Sequence, residues 1–175
     1  MDIVYRPVTI EDATAIAQLH ARSWQQNYIG IWQEKYLQEL VVEDRLKVWS
    51  QRFKEPADNQ YIMIAESEGR LIGFVCIFTK DDAQYGTLLD NIHVDRTFKG
   101  NGIGKELMSI GAKTAYEQSR SEQLYLWALE GNHAGRRFYE HLKGENVETV
   151  NMENPDGTFS PVCRYFWPNS KILIK

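Results

Sequence analysis

Apolar residues recur along this chain in two rhythms, one of period two and one near 3.6, and the changeovers between them outline its elements. Residues 3 to 8 read as a short strand. Thr9, with Asp12 three positions on, forms a capping-box pattern, and beyond it Ala13, Ile16, Ala17, His20 and Trp24 share one helix face. A second helix is predicted over residues 34 to 53, buried through Leu37, Leu40, Val41, Leu46 and Val48. Tyr61 to Glu66 and Leu71 to Phe78 predict strands joined by the turn Ser67-Glu68-Gly69-Arg70. Leu88 to Asp95 predicts a further strand, residues 102 to 119 a helix, and Leu124 to Leu129 a short strand. Asn132 to Leu142 reads as a helix stopped by Lys143-Gly144. Two last strands, Val147 to Glu153 and Pro161 to Trp167, flank the turn Asn154-Pro155-Asp156-Gly157. No repeat or linker interrupts the order β-α-α-β-β-β-α-β-α-β-β, so a single domain over residues 1–175 is expected. The order suits an α/β fold: a mixed sheet, antiparallel in part, with one right-handed crossover.

The stretch Lys99-Gly100-Asn101-Gly102-Ile103-Gly104-Lys105 sits where a strand gives way to a helix. Glycines at alternate positions let backbone N–H groups approach a ligand closely, and a helix start adds unpaired donors and a positive dipole end. A phosphate is the guest such a turn accepts. A Walker loop ending at Gly104-Lys105 needs glycine at Lys99 and Ser or Thr at Glu106, and the chain has neither. A dinucleotide fingerprint starting at Gly100 needs glycine where Lys105 stands.

A third spacing, Gln/Arg-x-x-Gly-x-Gly/Ala, fits Lys99, Gly102 and Gly104, with lysine in the first position. A second motif follows: Asn132 behind the strand ending at Leu129, then Phe138-Tyr139 on the next helix. On these residues and the element order, the chain from Ile3 to about Trp167 resembles the GCN5-related N-acetyltransferase (GNAT) family. The resemblance implies a mostly antiparallel sheet of six to seven strands, flanked by about four helices and splayed between the fourth and fifth strands. It implies acetyl-CoA as acetyl donor and a small-molecule or peptide amine as acceptor. By it, backbone N–H groups of Gly100, Asn101, Gly102, Ile103, Gly104 and Lys105 hold the pyrophosphate, with charge from Lys99 and Lys105. Ile92, His93 and Val94 match the strand whose backbone meets the pantetheine arm. Asn132 matches a hydrogen-bonding partner of that arm, although it also suits a helix N-cap. Arg136 stands within reach of the adenosine 3′-phosphate, unless it is a solvated helix charge. The chain departs from the family at Lys99 and at Lys143-Gly144-Glu145, where a Gly-Phe pair commonly sits.

Composition narrows the picture further. A hydrophobic share of 43%, a charged share of 25% and a formal charge of −4 are ordinary for a globular protein and give no reason to expect nucleic acid. Cys76 and Cys163 lie in apolar strand-like runs without metal spacing or a disulfide pattern, so neither a metal nor a covalent cysteine relay is expected. No run approaches the roughly 18 apolar residues of a membrane span, and a cytoplasmic location is the expectation.

Tyr139 is the family-matched hydroxyl for the departing thiolate. A phenol near pKa 10 giving its proton to a thiolate near 8.5 is uphill by roughly 2 kcal/mol, so hydrogen-bond stabilisation competes with full transfer. An alkyl amine is neutral only about one part in 2,500 at pH 7, and Asp90 and His93 are the candidates to activate it. Trp24, Tyr28, Trp32 and Tyr36 form an aromatic run suited to an acceptor pocket or to the core, with Trp24, Tyr28 and Trp32 the acceptor candidates. The expected reaction is direct attack in a ternary complex. A non-catalytic acyl-CoA sensor and a protein or peptide acetyltransferase stand as alternatives, and a homodimer through the terminal strands is compatible with the pattern.

Overall fold

A computed structural model describes residues 2–174. Seven strands form one sheet in the order β1-β2-β3-β4-β5-β7-β6. The strands are β1 (Val4–Pro7), β2 (Gln60–Ser67), β3 (Arg70–Asp82), β4 (Gly86–Val94), β5 (Leu124–Leu129), β6 (Glu145–Glu153) and β7 (Phe159–Trp167). Four helices flank it: α1 (Ala13–Asn27), α2 (Val41–Lys54), α3 (Ile103–Ser119) and α4 (His133–His141). Every neighbouring pair is antiparallel except β4 and β5, which run parallel because α3 carries the chain across between them.

The parallel pair sets up the site. Only Thr87 with Leu124 and Leu88 with Tyr125 are in register, so the rest of β4 leaves β5. A bulge helps to part them: Cys76 faces Asn91 and Ile77 faces Leu89, leaving Asp90 as the extra residue on β4. Ile92 and Val94 then pack toward the α3 side, while His93 lies opposite Phe74, on the side covered by α1 and α2.

Local chemistry explains most element ends. Thr9 and Asp12 do make the reciprocal capping box, opening a short 3₁₀ turn that runs into α1. Glu68 and Gly69 both take positive φ, 52° and 73°, the conformation of a two-residue hairpin turn matched to strand twist. The second helix is not continuous. Tyr36–Leu40 form a π turn, closed by Val41 N–H donating to the Tyr36 carbonyl, before α2 begins. Tyr36, Leu37 and Val41 all face inward across this turn.

At the end of α4, Lys143 takes φ 66° and Gly144 passes beneath the Trp167 ring, where an added Cβ would stand 2.5 Å from Cζ2. Trp167 is fully buried and its indole N–H donates to the Leu142 carbonyl at 2.9 Å, so the ring has nowhere to go. Gly144→Ala is expected to cost about 2 kcal/mol, read as a lower urea midpoint with unchanged m. No helix of the described residues is long and apolar enough to cross a membrane.

Candidate active site

A cavity of about 400 Å³ opens where β4 parts from β5. Its floor is Ile92, His93 and Val94 on β4. One wall is the glycine turn with the start of α3, the other is Asn132, Ala134, Gly135, Phe138 and Tyr139 around α4, and Ser23, Asn27 and Tyr28 close the end under α1.

The glycine turn is shaped as an anion cradle. Asp95 holds its entrance, accepting from Thr97 N–H at 3.0 Å and from Arg70 at 2.6 Å. Gly100 and Gly102 take φ 86° and 79°, and a Cβ at either would meet nothing within 4 Å, so the backbone conformation alone calls for glycine. Gly102 caps α3, whose first bond is Glu106 N–H to the Gly102 carbonyl at 3.0 Å. Among the described residues, none of the N–H groups of residues 100–105 finds an acceptor within the chain. Gly104 lies against Phe138, 3.3 Å from a would-be Cβ to Cζ, which ties α3 to α4 across the cavity.

Asn132 caps α4, its Oδ1 accepting from Gly135 N–H at 3.1 Å, and it also lines the cavity. The cap expected of it is therefore present, and the same residue faces the cavity. Tyr139 packs its ring on Tyr165 and Trp167, while its hydroxyl has no partner among the described residues. Burial raises its pKa, and the nearby Tyr28 and Tyr165 push it the same way.

His93 has Nδ1 2.8 Å from Ser23 Oγ and its ring 4.5 Å from that of His20. Burial first, then the charges of Lys99 and Arg45, lower its pKa to about 3. Burial first, then His93, Arg45 and Arg52, keep His20 well below its ordinary value. Both imidazoles are neutral at pH 7 in the folded chain and protonate in the unfolded one near 6.5. Stability is then full above that pH and lost as pH falls through the window from about 6.5 toward 3. Between pH 7 and pH 5 His93 is expected to cost on the order of 2 kcal/mol, and His93→Gln should flatten the fall in melting temperature.

Five of the candidates named from the sequence stand outside the cavity lining. Asp90, the bulge residue, is drawn to α2: Arg52 donates to it at 2.6 Å, and it accepts from the Asn91 side chain. Arg136 faces β7, donating to the Tyr165 hydroxyl at 3.1 Å and the Glu130 carbonyl at 3.2 Å, and does not line the cavity. Trp24 and Trp32 are buried in the cluster between the end of α1 and β5/β7, their rings 4.7 Å apart, so of the three aromatic acceptor candidates only Tyr28 reaches the cavity. Asn101 is exposed, its side chain folded back onto the Phe98 carbonyl. Lys99, Ile103 and Lys105 line the cavity as expected, whereas Ser23, Asn27, Phe98, Ala134 and Gly135 were not foreseen. Ser23 and Asn27 had a signal: with His20 and Trp24 they continue the inward stripe of α1 at helical spacing.

A sheet splayed over an unpaired glycine turn, with a half-buried tyrosine across from it, is the arrangement of an acyl-group transferase. Residues 14–144 match the acetyltransferase (GNAT) family model, and the chain belongs to that family. It is 24% identical over 147 residues to a spermine/spermidine N(1)-acetyltransferase of Bacillus subtilis, covering 81% of this chain and 87% of that protein. A probable N-acetyltransferase of Mycobacterium tuberculosis is 29% identical over 141 residues, 76% of each chain. Among solved structures, PaiA N-acetyltransferase of Thermoplasma acidophilum in complex with coenzyme A superposes with TM-score 0.69 at 18% identity, over 95% of this chain and 100% of that one. A GCN5-related N-acetyltransferase from Rhodopseudomonas palustris gives 0.75 at 18% identity, with 95% of both chains covered. At such identities the two structures speak for the fold alone.

Proposed function

We propose that this chain transfers the acetyl group of acetyl-CoA to a primary amine by direct attack in a ternary complex. The observation that carries the reading is the set of unpaired N–H groups at residues 100–105, opening onto a cavity that also presents the Tyr139 hydroxyl. The donor set suits a diphosphate, since it offers backbone N–H groups, a helix start and Lys99 and Lys105 beside them. The coenzyme supplies an activated thioester. The complex of a structural neighbour with coenzyme A and the amine acceptors of the Bacillus subtilis relative agree with the assignment.

In this reading the chain's own residues orient and stabilise. The freed edge of β4 at Ile92–Val94 offers backbone groups to an extended arm, and Asn132 flanks it. Tyr139 donates a hydrogen bond to the leaving sulfur. Its raised pKa makes complete proton transfer costlier than the roughly 2 kcal/mol of an ordinary phenol. His93 does not take the amine proton. An imidazole whose conjugate acid has a pKa of about 3 is mismatched to an ammonium near 10.4, so the proton leaves through water. Burial raises the Cys76 thiol, which argues against a covalent relay through it.

The test is release of free CoA thiol from acetyl-CoA across a panel of primary amines. Amine-dependent release supports the proposal. Acetyl-CoA binding without release for any amine would instead mark a non-catalytic binder.

A further inference from the structure

One imidazole on the cavity floor is held in a single tautomer by two residues of α1, Ser23 and Asn27, both of which also line the cavity. Asn27 donates through Nδ2 to the Ser23 carbonyl at 2.7 Å, and a carbonyl only accepts, so the amide has one orientation. The same Nδ2 donates to Ser23 Oγ at 3.1 Å. With Oγ already accepting, the hydroxyl proton has one acceptor among the described residues, His93 Nδ1 at 2.8 Å. Nδ1 therefore accepts, and the neutral ring carries its proton on Nε2. No Asp or Glu lines the cavity to draw a proton onto Nδ1 instead.

The ring itself is fixed. His20 lies 4.5 Å from it and Phe74 5.4 Å, centroid to centroid. His20 is pinned in turn, its Nδ1 accepting from the Trp49 indole at 2.9 Å. His93 Nε2 bonds no described residue and, unlike the sealed Nε2 of His20, is open to the cavity that His93 lines. A donor so firmly held and unused within the chain is aimed at an incoming acceptor atom. The arrangement is the reverse of a general base, in which Nδ1–H is donated to a carboxylate and Nε2 is left bare.

On the acetyltransferase reading above, we infer that His93 Nε2–H donates to the thioester carbonyl oxygen, and that Ser23 and Asn27 are the positioning residues that keep it a donor. In that reading the sulfur faces Tyr139 and the arm follows Ile92–Val94. The carbonyl oxygen, bonded to the same carbon as the sulfur, then lies over the stretch of floor that His93 supplies. As the amine lone pair bonds to the acetyl carbon, the C=O pair moves onto oxygen, and the Nε2–H bond strengthens with the growing charge. The pair returns as the C–S bond breaks, the sulfur keeps that bond's electrons, and the amine proton passes to water. A neutral imidazole polarises the carbonyl without giving up its own proton, and burial keeps this one neutral.

The experiment records ¹⁵N spectra of the imidazoles, with His93 assigned by its absence from His93→Phe. Nε2 is expected to be protonated and Nδ1 bare. Acetyl-CoA should move the Nε2 resonance, whereas CoA, which lacks the carbonyl, should leave it near its free position. In thiol-release assays His93→Phe should lower kcat by about 30-fold, with KM for acetyl-CoA within about threefold. Ser23→Ala should lower kcat by about fivefold and bring the Nδ1-protonated tautomer into the spectrum, and Ser23→Thr should restore both. An Nδ1-protonated ring in the wild type, equal effects of CoA and acetyl-CoA on Nε2, or undiminished kcat in His93→Phe overturns the inference and leaves the acetyltransferase reading standing. No thiol release with any amine overturns both.

Discussion

Tyr139→Phe is expected to lower kcat by about 10²-fold while acetyl-CoA affinity stays within about twofold. The substitution removes one hydroxyl whose only available partner is whatever occupies the cavity, since no described residue bonds it. The ring contacts with Tyr165 and Trp167 persist, so stability should hardly move. A group that acts only as charge develops on sulfur must show in turnover and not in binding. Equal turnover of Tyr139→Phe and wild type, with the best amine of the panel, would remove Tyr139 from the chemistry. The acidic limb of kcat/KM should also lack an ionisation near 6.5, because His93 is already neutral far below it.

The second large effect falls on the glycine turn. Gly102 sits at φ 79°, ψ −2°, with open space where a side chain would point. Valine there faces a backbone penalty of about 1–2 kcal/mol and no steric one, and the cheapest relief is to rotate the turn. Rotation turns the N–H groups of residues 102–104 away from a common point. Gly102→Val should weaken CoA binding by about 10²-fold in calorimetry, with a thermal midpoint lowered by only a few degrees. Gly102→Asn, which tolerates the left-handed region, should recover most of the loss.

Element order was legible because each segment carried its own period and its own end signal. The capping box at Thr9 and Asp12, the Glu68-Gly69 turn and the Asn154–Gly157 turn are short-range chemistry that a sequence displays directly. The glycine turn and Asn132 were legible for the same reason. What stayed hidden depends on which way one side chain faces. The bulge at Asp90 is a mismatch between two strands 14 residues apart at Cys76 and Asp90, and neither strand announces it alone. It hands Asp90 to Arg52 on another helix. Arg136 was expected beside the cavity, but α4 turns it to Tyr165, which also donates to Glu140 at 2.6 Å. Trp24 and Trp32 read equally well as pocket or core, and only packing against Val162 and Leu129 decides for core. The π turn at Tyr36–Leu40 was missed because a helical period assumes the bond it breaks.

The claim on which the rest depends is that the unpaired N–H groups beside Gly102 and Gly104 hold a diphosphate. Titrating ¹⁵N-labelled protein with CoA and, separately, with pantetheine, which lacks that diphosphate, tests it most directly. CoA should move the amide resonances of Gly102, Ile103 and Gly104 strongly downfield, and pantetheine should leave them near their free positions. Saturation with CoA that leaves those resonances unmoved would contradict the account.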